Sequence, residues 1–566
     1  MNIPDSSSAR KPSRIRRVFR WLFLVAGAVA TFITGVALIA RPTFPTLAEN
    51  VFFASIYLFS IVFLVCLLFP IARWIASRLG FFNLIRRLWS WLFCWRTMRR
   101  GLIGLAMLAT LIAIFYTEEN WRGKHAWENC KRELEAKGAV LDWNKLIPSP
   151  VPDDQNIFKA PKMTEWFVKS GGLLTSAKPS EEPNPTGLDG LSTNTLTVSV
   201  ITNETVAADY LKWSDRFQPS FDLIREALKR PYAWMDGDYS QPYQIPVPKF
   251  VQARALAQVL AQRAKCCLLL GQPEQALREL TLLNDSRKLL EGAPTGKPMT
   301  LVASMINVAI TGLYVDTFAY GLQSHAWREP QLIALQEQLK AINLPPFLVE
   351  SFREEPVYSA RCLETTTPAA FAELVYGHPP KNLWQKLTDP NYRLMKFLPR
   401  GWVYQNMKFA VSAGQKWNVG FDLTNYLIMP GKVEQGMREV TAAAAYWSPW
   451  RIRLENAVPN FTKAILRTAR NQTLVNQGQI GCALERYRLA RGQYPETLEA
   501  LVPQFAEKLP HDLIGGQPLH YRRMADGKFL LYSIGWNEKD DGGQVALNKG
   551  GREDLENGDW VWRPAN

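Results

Sequence analysis

Three uncharged apolar runs near the N-terminus constrain this chain more than any other feature. They span residues 21–40, 51–72 and 101–116. An α-helix rises ~1.5 Å per residue, so ~20 apolar residues cross a ~30 Å hydrocarbon core. The first two runs reach that length. The third spans roughly 24 Å. Arg99 and Arg100 are placed to snorkel at one of its ends, and Tyr116 and Trp121 to anchor the other. The first run has the basic front and apolar middle of a secretory signal, but it is long for one and further apolar runs follow.

Charge orients these runs. The net charge is +15 over 566 residues, and residues 1–116 hold fourteen Lys and Arg against only Asp5 and Glu49. A basic excess beside apolar segments is a topology signal, so the lipid bilayer is the expected partner and nucleic acid is not. Arg73, Arg78, Arg86, Arg87, Arg96, Arg99 and Arg100 lie between the second and third runs, with no acid among them. The positive-inside rule puts that loop and the N-terminus in the cytoplasm. Three spans then carry everything after Thr117 to the other side, and if the third run does not span, the same residues stay in the cytoplasm. Within the basic loop, Phe81, Leu84, Ile85, Leu88, Leu92 and Trp95 recur at helical spacing. That stripe fits a helix lying in the interface or one packed on the membrane bundle.

Beyond the membrane segment (1–116), residues 117–204 read as a polar helix followed by Pro-rich connectors at 140–162 and 176–194. Apolar residues three and four apart predict helices over 206–228, with a break at Pro219, and over 250–270. In 262–284, Gly271 makes a turn and Pro273 restarts the chain, which is the pattern of one tetratricopeptide-type hairpin. A second hairpin is drawn from 299–323 and 329–342. Residues 205–363 therefore form an expected α-helical hairpin domain. Residues 364–440 mix Pro, Gly and Trp without sustained period and read as an irregular connector. A long helix over 460–489, ended by Gly492, precedes a short helix at 495–501. Strands at 518–523 and 528–534 flank the turn dipeptide Asp526-Gly527.

The last of these elements have a counterpart. Ala483-Leu484-Glu485-Arg486-Tyr487, Gly492-Gln493-Tyr494-Pro495, Leu498-Glu499-Ala500-Leu501-Val502-Pro503, Leu509-Pro510-His511-Asp512 and Leu531-Tyr532-Ser533-Ile534-Gly535 stand in order before a Gly-rich acidic loop ending in Gly542-Gly543. Residues 481–543 thus resemble the C-terminal module of the major pseudopilin of type II secretion. The family's Asp-Pro-Trp-Gly-Asn-Pro turn is here Asp512-Leu513-Ile514-Gly515-Gly516-Gln517-Pro518, and neither the family's short leader nor its Glu near the start of an N-terminal helix is found at the start of this sequence. The resemblance implies a small α+β module over 441–566, a bacterial inner-membrane location with the large C-terminal region in the periplasm, and a calcium ion in the acidic loop. Its candidate ligands are Asp540, Asp541, Asp554 and Asp559. Calcium takes six to eight oxygens, which carboxylates and the carbonyls of a Gly-rich loop can supply.

The remaining motifs point away from recognised chemistry. Residues 292–298 have three residues between Gly292 and Gly296 where a phosphate-binding loop needs four, and Pro298 follows Lys297, so no nucleotide is expected. His125, His325, His378, His511 and His520 form neither an HExxH pair nor a close His/Cys pair, and no GxSxG is present. Cys130, Cys266, Cys267, Cys362 and Cys482 would meet an oxidising compartment, where some could pair, without a CxxC motif among them. The expected fold is membrane-anchored α+β: transmembrane helices, a largely helical hairpin domain and a small pseudopilin-like module. The expected function is a scaffold or interaction protein of the cell envelope, with a partner protein there and a possible link to secretion. The alternative is a membrane-anchored hydrolase whose active site has no local motif.

Overall fold

The computed structural model describes residues 89–91, 94–169, 203–240, 245–292, 300–365, 398–445, 448 and 460–562. The runs at 21–40 and 51–72, residues 81–88 of the basic loop, the connector 176–194 and His378 lie outside the described residues. The chain divides into two units, Met1–Phe115 and Tyr116–Asn566.

Helix α1 (Trp95–Ala136) carries the third apolar run and, without interruption, the polar helix expected after it. In the first unit, Leu102, Ile103, Leu105, Met107, Leu108, Leu111, Ile112, Ile114 and Phe115 are each 45–63% exposed. At 100° per residue these positions surround the helix, so exposed apolar side chains lie on every side of it. Two described helices are long and apolar enough to cross a membrane. The other, Leu301–Gln323, has most of its apolar window buried among neighbouring helices, as a core helix does.

The second unit is mostly helical. Besides the polar half of α1, its longer described helices are α2 (Glu204–Ser214), α3 (Gln218–Ala227), α4 (Phe250–Leu269), α5 (Pro273–Asp285), α6 (Leu301–Gln323), α7 (Glu329–Lys340), α8 (Pro345–Thr365), α9 (Arg400–Trp417), α10 (Pro430–Ala445) and α11 (Thr462–Arg491). The α4–α5 and α6–α7 hairpins fall where the apolar spacing places them. Gly271 takes φ +68° between the first pair, a conformation open to glycine at little cost. Pro219 sits in the first turn of α3, where its missing N–H is not needed.

One hydrophobic cluster runs from Ile157 through α4–α7 to Leu531 and Trp562. Helix α11 lies at its centre, in contact with α6, α7 and α8. It is a polar helix, yet Thr468, Gln472, Thr473, Asn476, Gln477 and Glu485 are buried along it. Many of their polar atoms are matched. The Gln472 side chain accepts from the Leu344 N–H at 2.8 Å and donates to the Ile342 carbonyl at 3.2 Å. Gln477 donates to the Trp560 carbonyl at 2.7 Å. A buried amide costs free energy only when its bonds go unmade, so these partners let a polar sequence sit inside.

Strands β1 (His520–Arg523), β2 (Phe529–Ser533) and β5 (Trp560–Val561) form an antiparallel sheet in the order β1-β2-β5. Strands β3 (Val545–Leu547) and β4 (Glu553–Gly558) pair separately. The Asp526-Gly527 turn joins β1 to β2, as its dipeptide predicts.

Two expectations are corrected. The stretch 364–440 holds α9 and most of α10, whose Phe409, Trp417, Val433 and Met437 pack with Leu513, Ile514, Trp536 and Trp560 of the C-terminal module. The module is also not set apart from the helical hairpins, because both belong to the single compact unit Tyr116–Asn566. The cause is α11, which buries one side against the hairpins and another against the strands. Cys130, Cys266, Cys267 and Cys482 are buried thiols that form no disulfide among the described residues. Cys267 and Cys482 pack in the hydrophobic cluster, while Cys130 lies 3.6 Å from the Ser412 hydroxyl and Cys266 3.9 Å from the Gln262 amide.

Candidate functional site

The acidic loop is built from glycines and short strands. Gly535 ends β2 with φ +68°, and a Cβ there would stand 2.5 Å from the Gly558 carbonyl. The loop therefore lies directly against the end of β4. Asp559, next in the chain, is buried, and its carboxylate accepts the N–H groups of Asp541 at 3.0 Å and Gly543 at 2.6 Å. Burial pushes the Asp559 carboxyl up. The two N–H donors work the other way, and the neighbouring Asp540 and Asp541 add to the rise.

Asp540 accepts the Gly542 N–H at 2.9 Å and the Tyr532 hydroxyl at 3.1 Å, and its other oxygen lies 3.5 Å from His520 Nδ1. The Gly542 hydrogen bond, helped by Tyr532 and His520, holds its carboxyl below the ordinary value. Asp541 accepts from the Asn537 amide at 2.9 Å. Asp554 instead closes a turn within β4, accepting from the Glu556 N–H at 3.1 Å and the Asn557 amide at 3.0 Å. The structure thus brings Asp540, Asp541 and Asp559 into one loop and leaves Asp554 in a separate turn. Protein donors already engage all four. Among the described residues no three His, Cys, Asp or Glu side chains are grouped to hold a metal ion.

Two buried carboxylates tie this module together, and sequence spacing gives no sign of either role. Asp512 accepts from the Ser533 hydroxyl at 2.8 Å and from the N–H groups of Ile514 at 3.0 Å and Ile534 at 3.1 Å. Glu485 on α11 faces His325 Nδ1 at 2.8 Å, the Tyr494 hydroxyl at 2.8 Å, and Arg488 at 2.5 and 2.9 Å. Burial would raise its carboxyl, but the hydrogen bonds from Arg488, His325 and Tyr494 outweigh it and leave it below the ordinary value. Glu485 and Tyr494 lie only nine residues apart. The link to His325, 160 residues earlier, appears only in three dimensions.

His511 contacts the Tyr426 carbonyl at 3.2 Å, and His125 stacks on Trp121 with centroids 5.4 Å apart. The described histidines are therefore spread over separate sites. No family model matches the chain, and no curated protein or solved structure does either. In the geometry of the site the carboxylates serve as receivers of backbone and side-chain donors.

Proposed function

We propose that this chain is a membrane-anchored scaffold or interaction protein of the bacterial cell envelope, with its large C-terminal region in the periplasm and its work linked to secretion. One observation carries the reading: the apolar half of α1 is exposed around its full circumference. A helix apolar on all sides is at rest either in a protein core or in lipid, and among the described residues none of this apolar window is buried. The seven arginines before it orient the span outward. The link to secretion is supported by the pseudopilin-like motifs of residues 481–543 alone.

A reporter active only outside the cytoplasm tests the topology. Fused after Trp121 it is expected to be active, as is a fusion after Pro45, while a fusion after Arg87 is silent. An inactive fusion after Trp121 beside an active one after Pro45 would remove the third span. Calcium in the acidic loop belongs to the same reading. The unfolding temperature of the full chain should rise in millimolar calcium and return with chelator, and Asp541→Ala should blunt the rise. No rise leaves the loop as a self-satisfied turn.

A further inference from the structure

Helices α1 and α9 border an open cavity of about 450 Å³, lined by Trp121, Arg122, His125, Asn129, Lys408 and Ser412 among others. That volume suits a small ligand or a headgroup. The acids around it are already matched. Glu119 accepts from Arg122 at 2.6 Å and from the Trp402 indole at 2.8 Å. Glu133 is held by Lys137 at 2.8 Å. Lys408 stands near Glu133 but makes no ion pair among the described residues, so it is the cation left over.

The neutral groups complement that charge. Arg132 donates to the Asn129 side-chain oxygen, which leaves the Asn129 amide nitrogen as a donor. Among the described residues the Ser412 hydroxyl has one weak partner, the Cys130 thiol at 3.6 Å. Trp121 is 67% exposed and stacks flat against His125. It follows Phe115 by six residues, roughly 9 Å of helix. Tryptophan at that distance from an apolar span marks the headgroup level.

We propose that this cavity binds the phosphate of an anionic phospholipid headgroup. A phosphodiester carries one negative charge, and the cavity offers one unmatched lysine. Lys408 supplies a compact point charge with three donors, and Asn129 and Ser412 supply neutral donors to the remaining oxygens. The site rests on the membrane reading above, because lipid reaches it only if α1 inserts.

The test uses the full chain in detergent, with bound ligands counted by native mass spectrometry. Three probes are titrated: short-chain phosphatidylglycerol, phosphatidylcholine of the same chain length, and inorganic phosphate. Phosphatidylglycerol is expected to bind about fivefold or more tightly than phosphatidylcholine, and Lys408→Gln to abolish that preference. Lys408 is exposed, so the variant is expected to fold, and its unfolding temperature checks this. Lys340→Gln, on α7, should change nothing. Binding of inorganic phosphate that depends on Lys408, without preference for phosphatidylglycerol, would keep a phosphate site and overturn the lipid as its source. A lipid profile identical in wild type and Lys408→Gln, with no phosphate bound, overturns the site. Cell fractionation separates the two readings. A chain in the membrane fraction that fails the lipid test loses this inference alone, and a chain recovered in the soluble fraction loses both.

Discussion

Glu485 shows what a single side chain does in this protein. Its carboxylate is almost fully buried and receives His325, Arg488 and Tyr494. Glu485→Gln keeps the shape but removes the charge that the Arg488 guanidinium, the His325 ring and the Tyr494 hydroxyl address. The expected loss is about 2 kcal/mol, less than for a fully buried pair because His325 and Arg488 reach solvent. Denaturant unfolding of the full chain measures it. The pH dependence follows from the direction of the shift. An acid whose folded value is depressed contributes fully above its ordinary value of 4.5 and loses that contribution as pH falls through the lower folded value. The gap between wild type and Glu485→Gln should therefore be constant above about pH 5 and close below pH 4.5. His325 adds a second effect. It takes φ +50° at the end of α6, where its N–H bonds the Leu322 carbonyl and the Ala326 N–H bonds the Gly321 carbonyl. That is a Schellman ending with histidine in the position glycine prefers. His325→Ala loses the ring and keeps the strain, whereas His325→Gly loses the ring and relieves it. The alanine variant should be less stable than the glycine variant by about 1 kcal/mol.

Between elements, glycines are the decisive contacts. A Cβ on Gly123 of α1 would fall on the Gly401 backbone, and one on Gly401 would fall on the Glu119 carbonyl. The two helices touch main chain to main chain, and the Gly401 N–H donates to the Asn120 side chain at 2.8 Å. Gly401→Val should lower stability by about 2–3 kcal/mol in thermal unfolding. Gly104→Ala, which meets nothing within 4 Å, should be neutral or slightly stabilising. The same glycines explain what the sequence hid. The hairpins were legible because apolar residues recur every three or four positions and Gly271 and Gly492 sit at helix ends. In α9, Gly401 and Gly414 fall in the stretch whose mixed Pro, Gly and Trp shows no sustained period, although Gly414 is where Pro356 of α8 presses in. A glycine that ends a helix and a glycine that admits a neighbour look alike in one dimension. The acidic loop shows the complementary failure. Its charges were plain, but the N–H groups that engage Asp559 come from a segment sixteen to eighteen residues earlier.

At the scale of the whole molecule, shared burial makes the hairpins and the C-terminal module one object. Trp562 packs against Phe318 of α6 with centroids 6.0 Å apart, and Arg486 of α11 reaches Glu329 of α7 at 2.7 Å. Denaturant unfolding of the full chain should therefore show tryptophan fluorescence and helical circular dichroism of Tyr116–Asn566 changing in one coincident transition. A helical signal that survives loss of the C-terminal tryptophan signal would show that the module folds independently. The division into separate domains could not be judged from the sequence, because period and turn signals locate elements without saying which of them share a core.

The central place of α11 also sets a timetable for biogenesis. Asn471 caps the Val308 carbonyl on a helix made 163 residues earlier. At a synthesis rate of ~5–20 residues per second, α6 waits roughly 10–30 s for the strand of chain that will cover it. Through that interval a helix long and apolar enough to cross a membrane keeps the face that α11 covers open, while α4 and α5, already made, can cover another. On the envelope reading proposed above, the nascent chain is held out of the bilayer until its last hundred residues arrive, and depletion of holding chaperones should strand it as an α6-inserted, protease-sensitive form.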